Sequence, residues 1–88
     1  MLKLVYWHRL EKDLKLAKKR GHDIEKFTTA VDLLLREELL SPKMRNHKLT
    51  GEYRNCWECH VEPDWLLIYQ KTATTLILMR TGKHSDLF

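Results

Sequence analysis

Three histidines in the second half of this 88-residue chain, His47, His60 and His84, carry the side chain that titrates nearest neutral pH. Asp64 stands four residues after His60. Such a set suits the cleavage of RNA without a metal. That reaction needs a base to take the proton of a 2′-hydroxyl and an acid to protonate the departing 5′-oxygen. It also needs cations to hold the charge that builds on phosphorus. Imidazole serves as either acid or base, and Arg54 and Arg80 offer guanidinium groups for the phosphate. His8 and His22 lie near expected helix starts and read as surface or cap residues. Spread over some forty residues, the set is a sparse signal. From composition and pattern only, a basic domain that binds protein or nucleic acid comes first and a nuclease second.

A second pattern competes for His60. Cys56-Trp57-Glu58-Cys59-His60 is C-x-x-C-H, the attachment pattern of a c-type haem. Period-two alternation argues against it. On a strand, Tyr53, Asn55, Trp57 and Cys59 share one mostly apolar face, expected to be buried. Glu52, Arg54, Cys56, Glu58 and His60 share the other, expected to be open. The two thiols then point to opposite sides, where one haem cannot take both. Zinc lacks a fourth ligand at a recognisable spacing. Ordinary strand cysteines, kept as thiols in a reducing compartment, are the reading retained.

The elements that must position these residues follow from periodicity. Met1 to Trp7 is rich in strand formers. Leu10, Leu14 and Ala17 form a helical stripe that Gly21 ends, and Asp23 is placed to cap the next helix. That helix carries Ile24, Phe27, Val31 and Leu34 on one face, with Glu37 and Glu38 near its end and Ser41-Pro42 as its stop. After a polar loop, Lys43 to Gly51, three strands are expected at Glu52–His60, Trp65–Lys71 and Thr75–Thr81. Val61 to Asp64 and Thr72 to Thr74 form the turns between them. Short turns imply antiparallel neighbours. The expected architecture is α+β: two helices on one face of a four-stranded, mainly antiparallel sheet, in one domain spanning residues 1–88. The other face is then free to bind.

Composition narrows the partners. The chain has a net charge of +4 and is 43% hydrophobic and 32% charged, which points to a soluble globular domain with either a solvated basic face or an anionic partner such as nucleic acid or an acidic protein, and charge alone does not choose between them. From Arg9 to Arg20, six cations stand against Glu11 and Asp13, a balance of +4. The start, MLKLVYWHRLEKD, lacks a signal peptide's apolar run, and no stretch approaches a membrane span, so the cytoplasm is the expected location.

Three segments, NHKLTG (46–51), HVEPDWLLIY (60–69) and RTGKHSDLF (80–88), together resemble the YafQ branch of the RelE/ParE toxin superfamily from bacterial toxin–antitoxin systems. The resemblance extends to length, element order and the run LKLAKKRGHD. It implies a ribosome-dependent mRNA endonuclease that needs no metal or other cofactor and cuts the codon in the 30S A site. It also implies a cognate antitoxin that blocks the toxin and reaches operator DNA only as part of the complex. The family's catalytic set would fall on His47, His60, Asp64 and His84, with His84 as acid, His47 or His60 as base, and Asp64 orienting a histidine or holding the nucleotide. Arg80 would hold phosphate. Phe88 would stack on a base or anchor the chain end. Trp65 would be partly core, with base stacking secondary. Relatives often carry arginine where this chain has Trp57; Arg54 is the available substitute. The basic first helix would meet ribosomal RNA through phosphates. Two rival functions remain in view: a ParE-like gyrase inhibitor, which needs no acid–base pair, and a toxin-like binding module without catalysis.

Overall fold

The computed structural model describes residues 1–88. Strand β1 (Lys3–Tyr6) leads into helices α1 (Leu10–Lys19) and α2 (Ile24–Leu35). A 3-10 turn at Pro42–Met44 precedes β2 (His47–Lys48), and another at Gly51–Tyr53 precedes β3 (Trp57–Glu62). Then come β4 (Trp65–Lys71), β5 (Thr75–Gly82) and a short helix, α3 (His84–Leu87). The strands form one sheet in the order β1-β5-β4-β3-β2. β1 runs parallel to β5, and the other neighbours are antiparallel. The expected helices-on-a-sheet arrangement holds, with a two-residue strand, β2, making the sheet five-stranded.

Helix boundaries follow local chemistry. Gly21 ends α1 at φ +85°, a conformation that costs a residue with a Cβ about 1–2 kcal/mol. Asp23 caps α2 by accepting a hydrogen bond from the Glu25 N–H at 3.0 Å. The far end of α2 differs from expectation. The helix stops at Leu35, six residues before Ser41, because Glu37 turns left-handed (φ 58°) and the Glu38 N–H donates back to the Leu33 carbonyl at 3.0 Å. Glu37 and Glu38 therefore lie beyond the helix. In the β4–β5 turn, the Thr72 hydroxyl accepts from the backbone N–H of Thr74 and Thr75 at 3.3 and 2.9 Å.

The sheet buries both faces unequally. Leu2, Leu10, Ala17, Phe27, Val31 and Leu34 pack with Cys59, Trp65, Leu67, Tyr69, Leu76 and Leu78 in the main core under the helices. Trp57 packs against this core, so the tryptophan that stands in place of a family arginine enlarges it. The opposite face is not open, as expected, but partly roofed. Cys56, Leu66, Ile68 and Leu87 form a second small core, flanked by Leu49, Tyr53 and Met79. The alternation read from Glu52 onward fails before Trp57, because the 3-10 turn and Asn55 (φ 72°) break the strand there. Tyr53 accordingly packs on the outer face, not the inner one. Cys56 and Cys59 do fall on opposite faces, and no three His, Cys, Asp or Glu side chains are arranged to hold a metal ion.

Leu67 is fully buried in β4, whereas Leu39 is 97% exposed. Leu67→Ala is expected to lower unfolding free energy by ~2–5 kcal/mol, and Leu39→Ala by less than ~0.5 kcal/mol, in urea titrations of the two variants.

Candidate active site

Antiparallel pairing of β2 with β3 sets His47 opposite Glu58, and β3 carries His60 two residues further on the same face. Glu58 is 6% exposed. Its Oε1 lies 3.5 Å from Nε2 of His47 and 3.5 Å from Nε2 of His60. The other nitrogen of each ring is anchored to backbone: Nδ1 of His47 to the Arg45 carbonyl at 2.7 Å, and Nδ1 of His60 to the Pro63 carbonyl at 3.2 Å. A carbonyl oxygen only accepts, so both Nδ1 atoms must be protonated. Each Nε2 then faces the Glu58 carboxyl group, and the three side chains form one fixed unit on the cleft wall.

A β-bulge refines this arrangement. Between His60 and Glu62 the register with β4 slips, leaving Val61 unpaired. His60 stays on the outer face. Glu62 pairs with Trp65 and turns toward the helices, 3.5 Å from Nδ1 of His22 and 3.7 Å from Nζ of Lys26. His22 is therefore not a simple surface or cap residue: its ring stacks on Trp65 with centroids 4.6 Å apart.

The far wall comes from α3. His84 meets Phe88 edge-on at 4.7 Å, and Tyr53 meets Phe88 edge-on at 5.4 Å. The helix is held by Asp86, which accepts from the Lys83 N–H at 2.9 Å and from Arg20 at 2.6 Å. Gly82 permits this closeness, since a Cβ there would lie 3.1 Å from Oδ2 of Asp86. His47, His60, Asp64, His84 and Phe88 line one open cleft of about 480 Å³, together with Glu58, Leu49, Leu66 and Pro63.

Several expected site residues sit elsewhere. Trp65 is fully buried, stacked between His22 and Phe27, and cannot reach a nucleotide base. Arg80 gives Nε and Nη2 to the Asp13 carboxylate at 2.7 and 3.2 Å. Asp13 also accepts the Thr81 N–H at 3.1 Å, and its hydrogen bond raises the Arg80 pKa. Arg80 is thereby a structural tie between α1 and β5 and does not line the cleft. Arg54 follows the second 3-10 turn, exposed and off the cleft wall, not on a strand. Asp64 lines the cleft but makes no hydrogen bond to a histidine; Glu58 holds the position against the imidazoles. Glu58 was not singled out from the sequence, although the alternation that placed His60 on the outer face placed Glu58 there too. Burial, followed by the Glu58 charge, pushes the Cys59 thiol up to about 12, so it stays un-ionised and a poor metal ligand.

A mixed sheet backed by two helices, with a histidine–carboxylate cleft closed by a C-terminal turn, is the architecture of a toxin from a bacterial type II toxin–antitoxin system. Residues 2–88 match the family described as the bacterial toxin of type II toxin–antitoxin system, YafQ, and the chain belongs to that family. It is 40% identical over 84 residues to the mRNA interferase toxin YafQ of Escherichia coli K12, covering 94% of this chain and 91% of that protein. Its fold superposes on the crystal structure of YafQ from E. coli BL21(DE3) with a TM-score of 0.94 at 36% identity, covering 100% of this chain and 99% of that one. It also matches the toxin in the E. coli DinJ–YafQ toxin–antitoxin complex, with a TM-score of 0.91 at 38% identity, covering 99% and 97%.

The hydrogen bond from Arg20, followed by that from the Lys83 backbone, holds the Asp86 carboxyl at about 2, below the ordinary 3.8. A carboxyl depressed by folding stabilises the fold above its unfolded value and loses that contribution as pH falls through its folded value. The clasp on α3 should therefore weaken between about pH 4 and pH 2. Because the pair is solvent-exposed, the effect is small. Thermal midpoints of wild type should fall more steeply than those of Asp86→Asn across this window; parallel curves would dismiss the clasp.

Proposed function

We propose that the chain is an endoribonuclease of the mRNA interferase kind, acting on messages in the ribosomal 30S A site by metal-independent acid–base chemistry. One observation carries this reading: His47 from β2, His60 from β3, Asp64 from the turn after it and His84 from α3, plus an aromatic ring, line one cleft, with a nearly buried carboxylate against two of the imidazoles. The E. coli relatives, named as mRNA interferases, support it at the level of family.

The reaction needs a 2′-oxygen to attack the adjacent phosphorus, which displaces the 5′-oxygen and leaves a 2′,3′-cyclic phosphate and a 5′-hydroxyl. Exposure divides the roles of the paired histidines. His47 is half exposed, and its Nε2 can meet a 2′-hydroxyl as base. His60, with 17% of its side chain exposed, stays beside Glu58 and faces the reacting phosphate. His84 stands on the opposite wall with Phe88 packed edge-on against its ring, positioned to give its proton to the departing oxygen. Phe88 is 55% exposed, leaving ring surface for a nucleotide base. Asp64, free of other partners, lies within the same cleft and helps orient the nucleotide.

The partners follow from the same reading. A cognate antitoxin binds and silences the toxin, a reading that the E. coli DinJ–YafQ complexes support at the level of the partner, and operator DNA is reached only through the toxin–antitoxin complex. The exposed cations of α1 meet ribosomal RNA through its phosphates, Arg20 excepted because it is engaged with Asp86.

On ribosomes programmed with a defined message, His84→Ala and His47→Ala should each slow single-turnover cleavage by about 10²–10⁴-fold, while the wild-type rate traces a bell across neutral pH. Glu58→Gln, which keeps shape and removes charge, should cost about tenfold or more, roughly 1.4 kcal/mol of barrier. Intact messages with wild type would end the proposal, and wild-type rates for all three variants would end the residue assignment.

A further inference from the structure

The arginines expected to hold phosphate are engaged or remote, yet cleavage of a polyanion calls for free cations beside the cleft. A second groove, about 690 Å³, adjoins it and shares His60 and Pro63 as a common wall. Lys26, Lys43 and Arg45 line this groove against a single acid, Glu62. Lys26 is 3.7 Å from Glu62 and so is partly offset. Lys43 and Arg45 have no acidic partner. Two uncompensated cations therefore flank the active cleft on the His60 side.

The backbone that presents them is unusual. Arg45 adopts the left-handed conformation (φ 47°), which favours glycine. Its N–H donates to the Pro42 carbonyl at 3.1 Å, closing the 3-10 turn. Its carbonyl accepts from His47 at 2.7 Å. A strained position occupied by a long cation, one residue from β2 and bonded to a catalytic imidazole, is placed to couple strand binding to the base.

We infer that this groove is a second phosphate-binding subsite, which holds the RNA strand flanking the scissile bond through Lys43 and Arg45. The inference rests on the endoribonuclease reading and extends it from the reacting nucleotide to its neighbours. Contact is with phosphate oxygens, so it adds affinity and register without reading bases. The ligand is RNA in preference to an acidic peptide because the groove shares the His60–Pro63 wall with the catalytic cleft, so a strand leaving that cleft on the His60 side meets it next.

The test uses catalytically silent His84→Ala chain and 2′-O-methyl RNA, which lacks the attacking hydroxyl. Fluorescence anisotropy would compare a trimer with hexamers extended on either side. One hexamer should bind about tenfold more tightly than the trimer. Adding Lys43→Gln and Arg45→Gly should erase that gain and reduce the salt dependence by roughly 1.4 in log–log slope, about 0.7 for each of two lost phosphate contacts. Glycine suits φ 47° and leaves the Arg45 carbonyl in place, so a thermal midpoint no lower than that of the parent separates binding from folding. An undiminished hexamer advantage in the variant overturns the inference, as does loss of antitoxin binding with RNA binding intact. Failure of wild type to cut messages strikes the nuclease reading separately, because affinity for the extended strand is measured without cleavage.

Discussion

Glu58 puts a carboxylate into the outer layer of a sheet where water scarcely reaches it. A charge in that position is tolerated only with cationic or hydrogen-bonding partners, since desolvation costs several kcal/mol when nothing answers it. Here the answer comes from two imidazoles whose remaining nitrogens are already committed to carbonyl oxygens. The arrangement constrains much around it. β2 must pair with β3 in the register that sets His47 opposite Glu58, although β2 is only two residues long. The Pro42–Met44 turn must bring Arg45 round to receive His47. The hairpin after β3 must present the Pro63 carbonyl to His60.

The far wall depends on a different tie. α3 is too short to be stable alone; a single turn fixes several dihedrals for one hydrogen bond. It stays in place because Leu87 enters the small outer core and Asp86 bonds to Arg20, a residue 66 positions away. The distance between the two histidine-bearing walls is thus a property of the tertiary structure, drawing on the end of α1 as well as on the sheet.

Period-two and period-three-to-four patterns made the helices, β4, β5 and the C-terminal half of β3 legible, because each has one continuous apolar face. The local punctuation at Gly21 and Asp23 was equally plain. Legibility ended where tertiary contacts decided. Nothing in a two-residue strand distinguishes β2 from loop. The left-handed Glu37 gave no glycine to announce the end of α2. Tyr53 looked like strand and folded as a turn. Among the site residues, the cleft histidines, Asp64 and Phe88 could be gathered from their segments. Arg80 was misassigned because its partner, Asp13, is 67 residues away. Trp65 lies beside Asp64 in sequence yet is separated from it in space, because Asp64 belongs to the turn and Trp65 opens β4 with its ring in the core under the helices. Glu58 was visible on the correct face, but an acid beside two histidines gains meaning only once β2 brings the second one across.

The unpaired Val61 has a further consequence. One extra residue in β3 lets neighbouring acidic and imidazole side chains serve opposite layers of the sheet: Glu62 steadies the helix side while His60 serves the outer side. Were β3 to pair with β4 in regular register through this stretch, with the same residues, alternation would return Glu62 to the outer layer and set a second negative charge beside His60. The slip at Val61, and not the order of residues alone, therefore decides which layer of the sheet Glu62 charges.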